Sequence, residues 1–395
     1  MSPAPLIFAA VMAHGMGQTI VFAVLAPLGR EVGLAAIEVG LIITLSSIVF
    51  SWASPRWGRA SEHLGRRRTL IIGLLGYTLG TTLFATGFLA GREGWLTGTS
   101  LLVVLILARM FQSTLMAAAP PAATAYMADI TSAEQRTTGM GKLGAANNVG
   151  TIIGPAVGGA LAMISLLAPL YGAAAVTLVT AFFVWRLLPE SPQGTHAAHL
   201  PATGAADALD YFDPRIFPFL LLGVSLYIGF SVIQQTLGFF IQDRLHIDGR
   251  ETAKWVGMAL MVSAAASLAT QAMAIRFDWR ARRLLWTGLP AMLAGSVVLT
   301  LASGPWLVAL AMALIGSGVG LAAPGYTAAA SMAVSAREQG AVAGLLAAAP
   351  ALGYIIGPLA GTALYQLHSH APHLFVAILF VPLLFYLKHL DRRLP

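Results

Sequence analysis

The sequence predicts an all-α membrane protein, with twelve transmembrane helices in two pseudo-symmetric six-helix bundles. Three observations carry that prediction. Of 395 residues, 57% are hydrophobic and only 10% are charged, against about 25% charged in ordinary soluble domains. The mean hydropathy is accordingly high, +0.77. Apolar runs of spanning length recur along the chain, and a glycine-proline pattern of the first half returns in the second.

A bilayer core needs about 20 apolar residues per helix. Runs of that size fall at 5–27, 38–55, 69–91, 98–120, 139–162, 164–186, 216–241, 253–275, 284–303, 305–328, 339–365 and 372–388. The first is long, lacks a basic leader and has no small-residue cleavage site, so it reads as a span and not a signal peptide. The loop after the second carries Arg56, Arg59, Arg66, Arg67 and Arg68, and the loop after the eighth carries Arg276, Arg280, Arg282 and Arg283. Lys388, Arg392 and Arg393 lie after the last. Loops on the opposite side are poorer in basic residues, except for Arg244, Arg250 and Lys254 after the seventh. The positive-inside rule therefore puts both termini in the cytoplasm of a multi-pass protein.

The longest polar stretch, 187–215, is rich in Pro, Gly and Asp and reads as a cytoplasmic linker. It separates an N-terminal bundle, 1–186, from a C-terminal bundle, 216–395. The bundles repeat. Gly150-Thr-Ile-Ile-Gly154-Pro155-Ala-Val-Gly158 in the fifth span returns as Gly353-Tyr-Ile-Ile-Gly357-Pro358-Leu-Ala-Gly361 in the eleventh. Ser132-Ala133 and Ser335-Ala336 keep the same offset.

Several function classes are excluded. With no cysteine there is neither disulfide nor thiolate metal site. The net charge of +7 does not imply nucleic acid, because the basic residues are spread over short loops and form no single face. No G-x-x-x-x-G-K-[ST] loop, H-E-x-x-H pair or metal-spaced carboxylate cluster is present, so an enzyme, a metal and a cofactor are not expected.

The loop after the second span reads Gly58-Arg-Ala-Ser-Glu62-His-Leu-Gly65-Arg66-Arg67-Arg68-Thr-Leu70. It resembles the signature loop of the major facilitator superfamily, G-x-L-A-D-R-x-G-R-K-x-x-L, with Glu62 for Asp and Arg67 for Lys. The fourth span, Leu105-Ile-Leu-Ala-Arg109-Met-Phe-Gln112-Ser113, resembles the family's l-x-x-x-R-x-x-q-G motif. The fifth resembles G-x-x-x-G-P-x-x-G-G, the antiporter signature of its twelve-span drug:proton branch, at Gly150, Gly154, Pro155, Gly158 and Gly159.

The resemblance implies a secondary transporter of small molecules working by alternating access, built on a six-plus-six repeat. It implies a cytoplasmic latch made by Gly58, Glu62, Gly65, Arg66, Arg67 and Asp129, and an association of Arg109 with proton coupling. It implies export over uptake, with Gly150, Gly154, Pro155, Gly158, Gly353, Gly357, Pro358 and Gly361 as hinge and packing positions. The expected setting is a bacterial inner membrane, and the expected partners are cargo, protons and lipid, with the chain a monomer.

The residues refine this expectation. Arg109 falls near mid-span, where a charge costs at least ~2.5–3.5 kcal/mol on insertion scales, so it should face a water-accessible cleft with Gln112 one turn on. None of the sixteen acidic residues sits clearly mid-membrane. Candidate proton carriers are His14, Asp129, Asp243 and Glu38, the last of which could equally cap its helix. A cleft whose main charge is Arg109 favours anionic, zwitterionic or neutral cargo. Gln18, Asn147, Asn148, Tyr227, Gln234, Gln235, Phe239, Tyr326 and Tyr354 supply amides and rings for adaptable recognition. The competing readings are a dedicated exporter of one metabolite such as a carboxylate siderophore, an uptake symporter, and a non-transporting membrane sensor.

Overall fold

The computed structural model describes residues 3–132, 135–191, 210–335 and 338–390. The expected Ala133–Ala336 repeat pair, the middle of the linker, and Arg392 and Arg393 lie outside them. Among the described residues there are fourteen helices and no strand. They are α1 Ala4–Glu31, α2 Ala36–Leu64, α3 Arg66–Arg92, α4 Gly98–Met116, α5 Ala119–Ile130, α6 Arg136–Ala162 and α7 Ala168–Leu187. The second series is α8 Phe217–Leu245, α9 Gly249–Arg276, α10 Ala281–Leu301, α11 Pro305–Met332, α12 Gln339–Leu346, α13 Ala348–Leu367 and α14 Ala371–Leu390.

Each expected span is there, but two are broken. The fourth divides into α4 and α5 at Ala117–Ala118, and the eleventh into α12 and α13 at Ala347. Prolines explain both breaks: the rings of Pro120, Pro121 and Pro350 clash with carbonyls one turn back and remove an amide donor. Where proline meets a free helix start it does no harm. Pro5, Pro169, Pro218 and Pro305 occupy first-turn positions of α1, α7, α8 and α11, where the missing N–H has no partner anyway. Among the described residues, eleven helical stretches are long and apolar enough to cross a membrane. The remaining one, α6, carries Lys142, Asn147 and Asn148 and many glycines, which lower its hydropathy.

The chain divides into two compact units, Met1–Ala198 with Asp248–Gly257, and His199–Ile247 with Met258–Pro395. In the first, Ile7, Leu70, Leu74, Tyr126, Met127 and Val184 form a buried cluster that joins α1, α3, α5 and α7. Polar pins cross between α1 and α3, α3 and α7, and α2 and α4. Tyr77 donates its hydroxyl to Gly17 O at 2.7 Å, Thr78 and Thr177 hydroxyls meet at 2.8 Å, and Trp57 Nε1 donates to Thr114 O at 2.6 Å. The first turns of α9 pack on α6, where a Cβ on Gly257 would crowd the Pro155 carbonyl and stand 3.0 Å from Gly159 Cα.

In the second unit α10 packs on α11 and α8 on α13. Ser231 donates to Gly353 O at 2.7 Å across the latter pair. At the start of α8, Arg215 is clasped by Asp213 at 2.8 Å and Glu338 at 2.9 Å. Glu338 also receives the Ser335 amide at 2.9 Å. Hydrogen bonds from Arg215 and Ser335 hold the Glu338 carboxyl down at about 2, and those from Arg215 hold Asp213 below the ordinary carboxylate range. The same two carboxylates raise the Arg215 guanidinium above its usual value.

Candidate functional site

The glycine-proline repeats build one close helix pair in each unit. A Cβ on Gly150 would run into the Met12 carbonyl and stand 2.9 Å from Met16 N, and one on Gly154 would stand 2.5 Å from Met16 O. A Cβ on Gly158 would stand 2.9 Å from Ile20 Cγ1. The second unit repeats the arrangement: a Cβ on Gly353 would stand 2.6 Å from the Tyr227 backbone, one on Gly357 would run into Ser231 Oγ, and one on Gly361 would stand 3.2 Å from Val232 Cα. Glycine every fourth residue forms a bare stripe that admits a neighbouring backbone. Pro155 and Pro358 stay inside continuous helices.

Asn147 stands on the same α1–α6 seam. It is half-buried, with its carbonyl and Oδ1 within 3 Å of where Gly15 would carry a Cβ. Asn148, next along, is exposed. His14 is 6% exposed and exchanges a 3.0 Å hydrogen bond with Gln18, while its Nδ1 has no partner.

Arg109 is buried in the first unit, 7% exposed, on α4 against α3. The reason is local. Gln112, one turn on, accepts from Arg109 Nη1 at 2.5 Å, and its own amide donates to Thr81 Oγ1 at 2.5 Å. Gly80 makes room, since any Cβ there would crowd Gln112 Cβ and stand 2.5 Å from its Cα. The Phe84 ring lies 5.5 Å from the guanidinium carbon, within cation–π reach. Thr81, Phe84 and Tyr77 were not singled out from the sequence: threonine and aromatic residues are too common in apolar helices to signal a partner 31 positions away.

The basic loop brings several of the residues expected in the latch into contact. Gly65 has φ +91°, and a Cβ there would stand 2.9 Å from the Glu190 carboxyl carbon. The positive φ is what requires glycine, since the Glu190 carboxylate sits at the end of a side chain that can move aside. Arg66 pairs with Asp129 at 3.5 Å and donates to Ser61 Oγ at 2.5 Å, and Ser191 donates to Asp129 at 2.6 Å. The Arg67 amide donates to Glu190 at 2.9 Å, and its guanidinium to Trp185 O. Gly58 approaches Pro121, its would-be Cβ 3.6 Å away. Glu62 is the correction. It is exposed and has no ion pair or hydrogen bond among the described residues. α2 runs on to Leu64, so Ser61 and Gly65 turn inward and Glu62, about 100° round the axis, turns out. Glu190 and Ser191 take up the polar partners instead.

In the second unit Tyr354 donates to Gln234 Oε1 at 2.8 Å, and the half-buried Tyr227 lies near enough to interact with Tyr326 and Tyr354. The Tyr326 ring covers Gly223, where a Cβ would stand 2.6 Å from it. Gln235 is 4% exposed, with Oε1 unpartnered. Phe239 is core, its ring 5.7 Å from Tyr365. Of the other proton candidates, Asp243 accepts from Tyr365, and Glu38 accepts the Ala35 amide at 2.7 Å, as a helix cap does.

Comparison with known proteins agrees with this architecture. A family model described as "Major Facilitator Superfamily" matches residues 7–358 and 219–394. The chain is 26% identical to multidrug resistance protein 2 of Bacillus subtilis over 375 residues, covering 93% of this chain and 89% of that protein. It is 30% identical to the class G tetracycline resistance protein of Vibrio anguillarum, covering 89% and 87%. Among solved structures, the nucleoside transporter NupG superposes with TM-score 0.73 at 13% identity, covering 100% of this chain and 99% of that one. A bacterial homologue of the human lysosomal transporter Spinster gives 0.73 at 14% identity, covering 99% and 96%. At these identities the structural likeness speaks for the fold.

Proposed function

The chain belongs to the Major Facilitator Superfamily and is a multi-pass membrane transporter, and from that premise we propose that it is a proton-coupled exporter of small amphipathic or anionic molecules. The observation that carries this reading is the buried Arg109–Gln112–Thr81 network, because an intramembrane charge held in place without a carboxylate is costly and marks a working site. The similarity to multidrug and tetracycline resistance proteins supports export.

Alternating access is the mode of transport, with the α1–α6 and α8–α13 pairs as stiff members. His14, Gln18, Asn147 and Asn148 in the first unit, and Tyr227, Gln234, Gln235, Tyr326 and Tyr354 in the second, are the proposed cargo and proton contacts. Arg66, Arg67, Asp129 and Glu190 are the proposed cytoplasmic latch. The chain is a monomer in a bacterial inner membrane, is not an enzyme, and has both termini in the cytoplasm. Residues 1–186 and 216–395 are its two bundles.

The test is flux in proteoliposomes with an imposed pH gradient. Lipophilic dyes should leave the compartment facing the cytoplasmic side only while the gradient stands. Equal flux with and without the gradient removes proton coupling, and gradient-driven accumulation in the opposite sense makes the protein an uptake symporter.

A further inference from the structure

We propose that the free edge of the Arg109 guanidinium is a carboxylate-binding site, so that the cargo class includes monocarboxylates. This deepens the exporter reading and rests on it. A guanidinium offers five N–H donors in a plane. Only Nη1 is used, by Gln112. Nε is buried without a partner, and among the described residues Nη2 makes no hydrogen bond and Arg109 no ion pair. The Nε–Nη2 edge is therefore unpaired, and it presents two parallel N–H vectors at the spacing of the two oxygens of one carboxylate.

A second donor lies unused nearby. Ser113, one turn along α4, is 1% exposed and its hydroxyl has no partner. Two unsatisfied donors on the same helix face, both buried beyond nine-tenths, call for an acceptor that the described residues do not supply. The rest of the site fixes orientation. Thr81 holds the Gln112 amide, so Gln112 Oε1 holds Nη1, and Phe84 lies against the guanidinium within cation–π reach. With Nη1 engaged by Gln112, the approach left to an anion is along the opposite edge of the plane. A carboxylate there removes the cost of an isolated buried charge. A neutral amide of the same shape meets that edge with one oxygen and a nitrogen that is itself a donor.

The test uses the purified full chain in detergent, with 2-naphthoate and the isosteric neutral 2-naphthamide as probes, and equilibrium binding read from tryptophan fluorescence. The wild type should bind naphthoate at least tenfold tighter than naphthamide. Arg109→Gln should erase the preference, and Arg109→Lys, which keeps the charge but not the fork, should recover less than half of it. Thr81→Val, which frees Gln112 without touching the charge, should reduce the preference severalfold and serves if the arginine variants do not fold. No preference in the wild type, or an undiminished one in Arg109→Gln, overturns the proposal. Gradient-driven efflux of the neutral dye Nile red, measured alongside, separates the two claims. Nile red efflux without a naphthoate preference overturns the carboxylate site alone, and absence of any gradient-driven flux overturns the exporter reading beneath it.

Discussion

Alanine at Gly150 tests the packing argument on which the helix pairs depend. A methyl there meets the Met12 carbonyl and stands 2.9 Å from Met16 N, both backbone atoms of α1 that cannot rotate aside. Overpacking of this kind costs about 1–3 kcal/mol, and rigid neighbours place it near the top of that range. Alanine returns up to about 1 kcal/mol of helix propensity relative to glycine. The net is roughly 2 kcal/mol of destabilisation, which at about 2–4 °C per kcal/mol for a unit of this size is a fall of about 4–8 °C in Tm. Gly144 lies on the same helix and is the control, because nothing comes within 4 Å of its Cβ position. Gly144→Ala should therefore leave Tm unchanged or raise it by about 2–4 °C through propensity alone. Thermal unfolding of the two variants in the same detergent measures the difference. Equal melting temperatures for Gly150→Ala and wild type would mean that α1 and α6 are not in backbone contact.

Three further outcomes follow from the same structure. Arg109→Ala should reduce gradient-driven export to background while membrane expression, measured by immunoblot, stays at wild-type level. Glu38→Ala loses the 2.7 Å bond to the Ala35 amide and should cost about 0.5–1 kcal/mol of stability with export intact, since the carboxylate acts as a cap; lost coupling would make it a proton carrier after all. The Glu338 clasp should survive acid. Its carboxyl is depressed from 4.5 to about 2, so its contribution is complete above the unfolded value and disappears only as pH falls through the folded one. Amide exchange at Ser335, corrected for the intrinsic rate, should keep its protection from pH 7 down to pH 4, and Glu338→Gln should lose it throughout.

The large-scale architecture was legible because the signals that carry it are local. Spanning length, basic loops and the nine-residue glycine-proline repeat can each be read from one stretch of chain, and Gly150 and Gly353 proved to lie at matching close contacts. Arg109 and Gln112 could be paired because three residues separate them on one helix. The rest needed neighbours remote in sequence. Glu190 reaches Arg67 across 123 positions, and nothing about a carboxylate in a Pro-rich stretch identifies its target. Glu62 was assigned by motif position, but the length of α2 decides which way it turns. The helix breaks at Ala117–Ala118 and Ala347 were hidden because proline is tolerated within other spans, including Pro155 and Pro358. Burial of Arg109 depended on a threonine and two rings of α3 that carry no distinguishing pattern.

The two glycine-lined seams have a mechanical corollary. A contact made by main chain on main chain has no rotamers to change, so each seam transmits displacement without slack. Compliance then has to reside elsewhere, and the two proline-broken spans offer it, one interrupted at Ala117–Ala118 and the other at Ala347. Stiff struts beside jointed ones give the molecule a division of labour that uniform helices would lack.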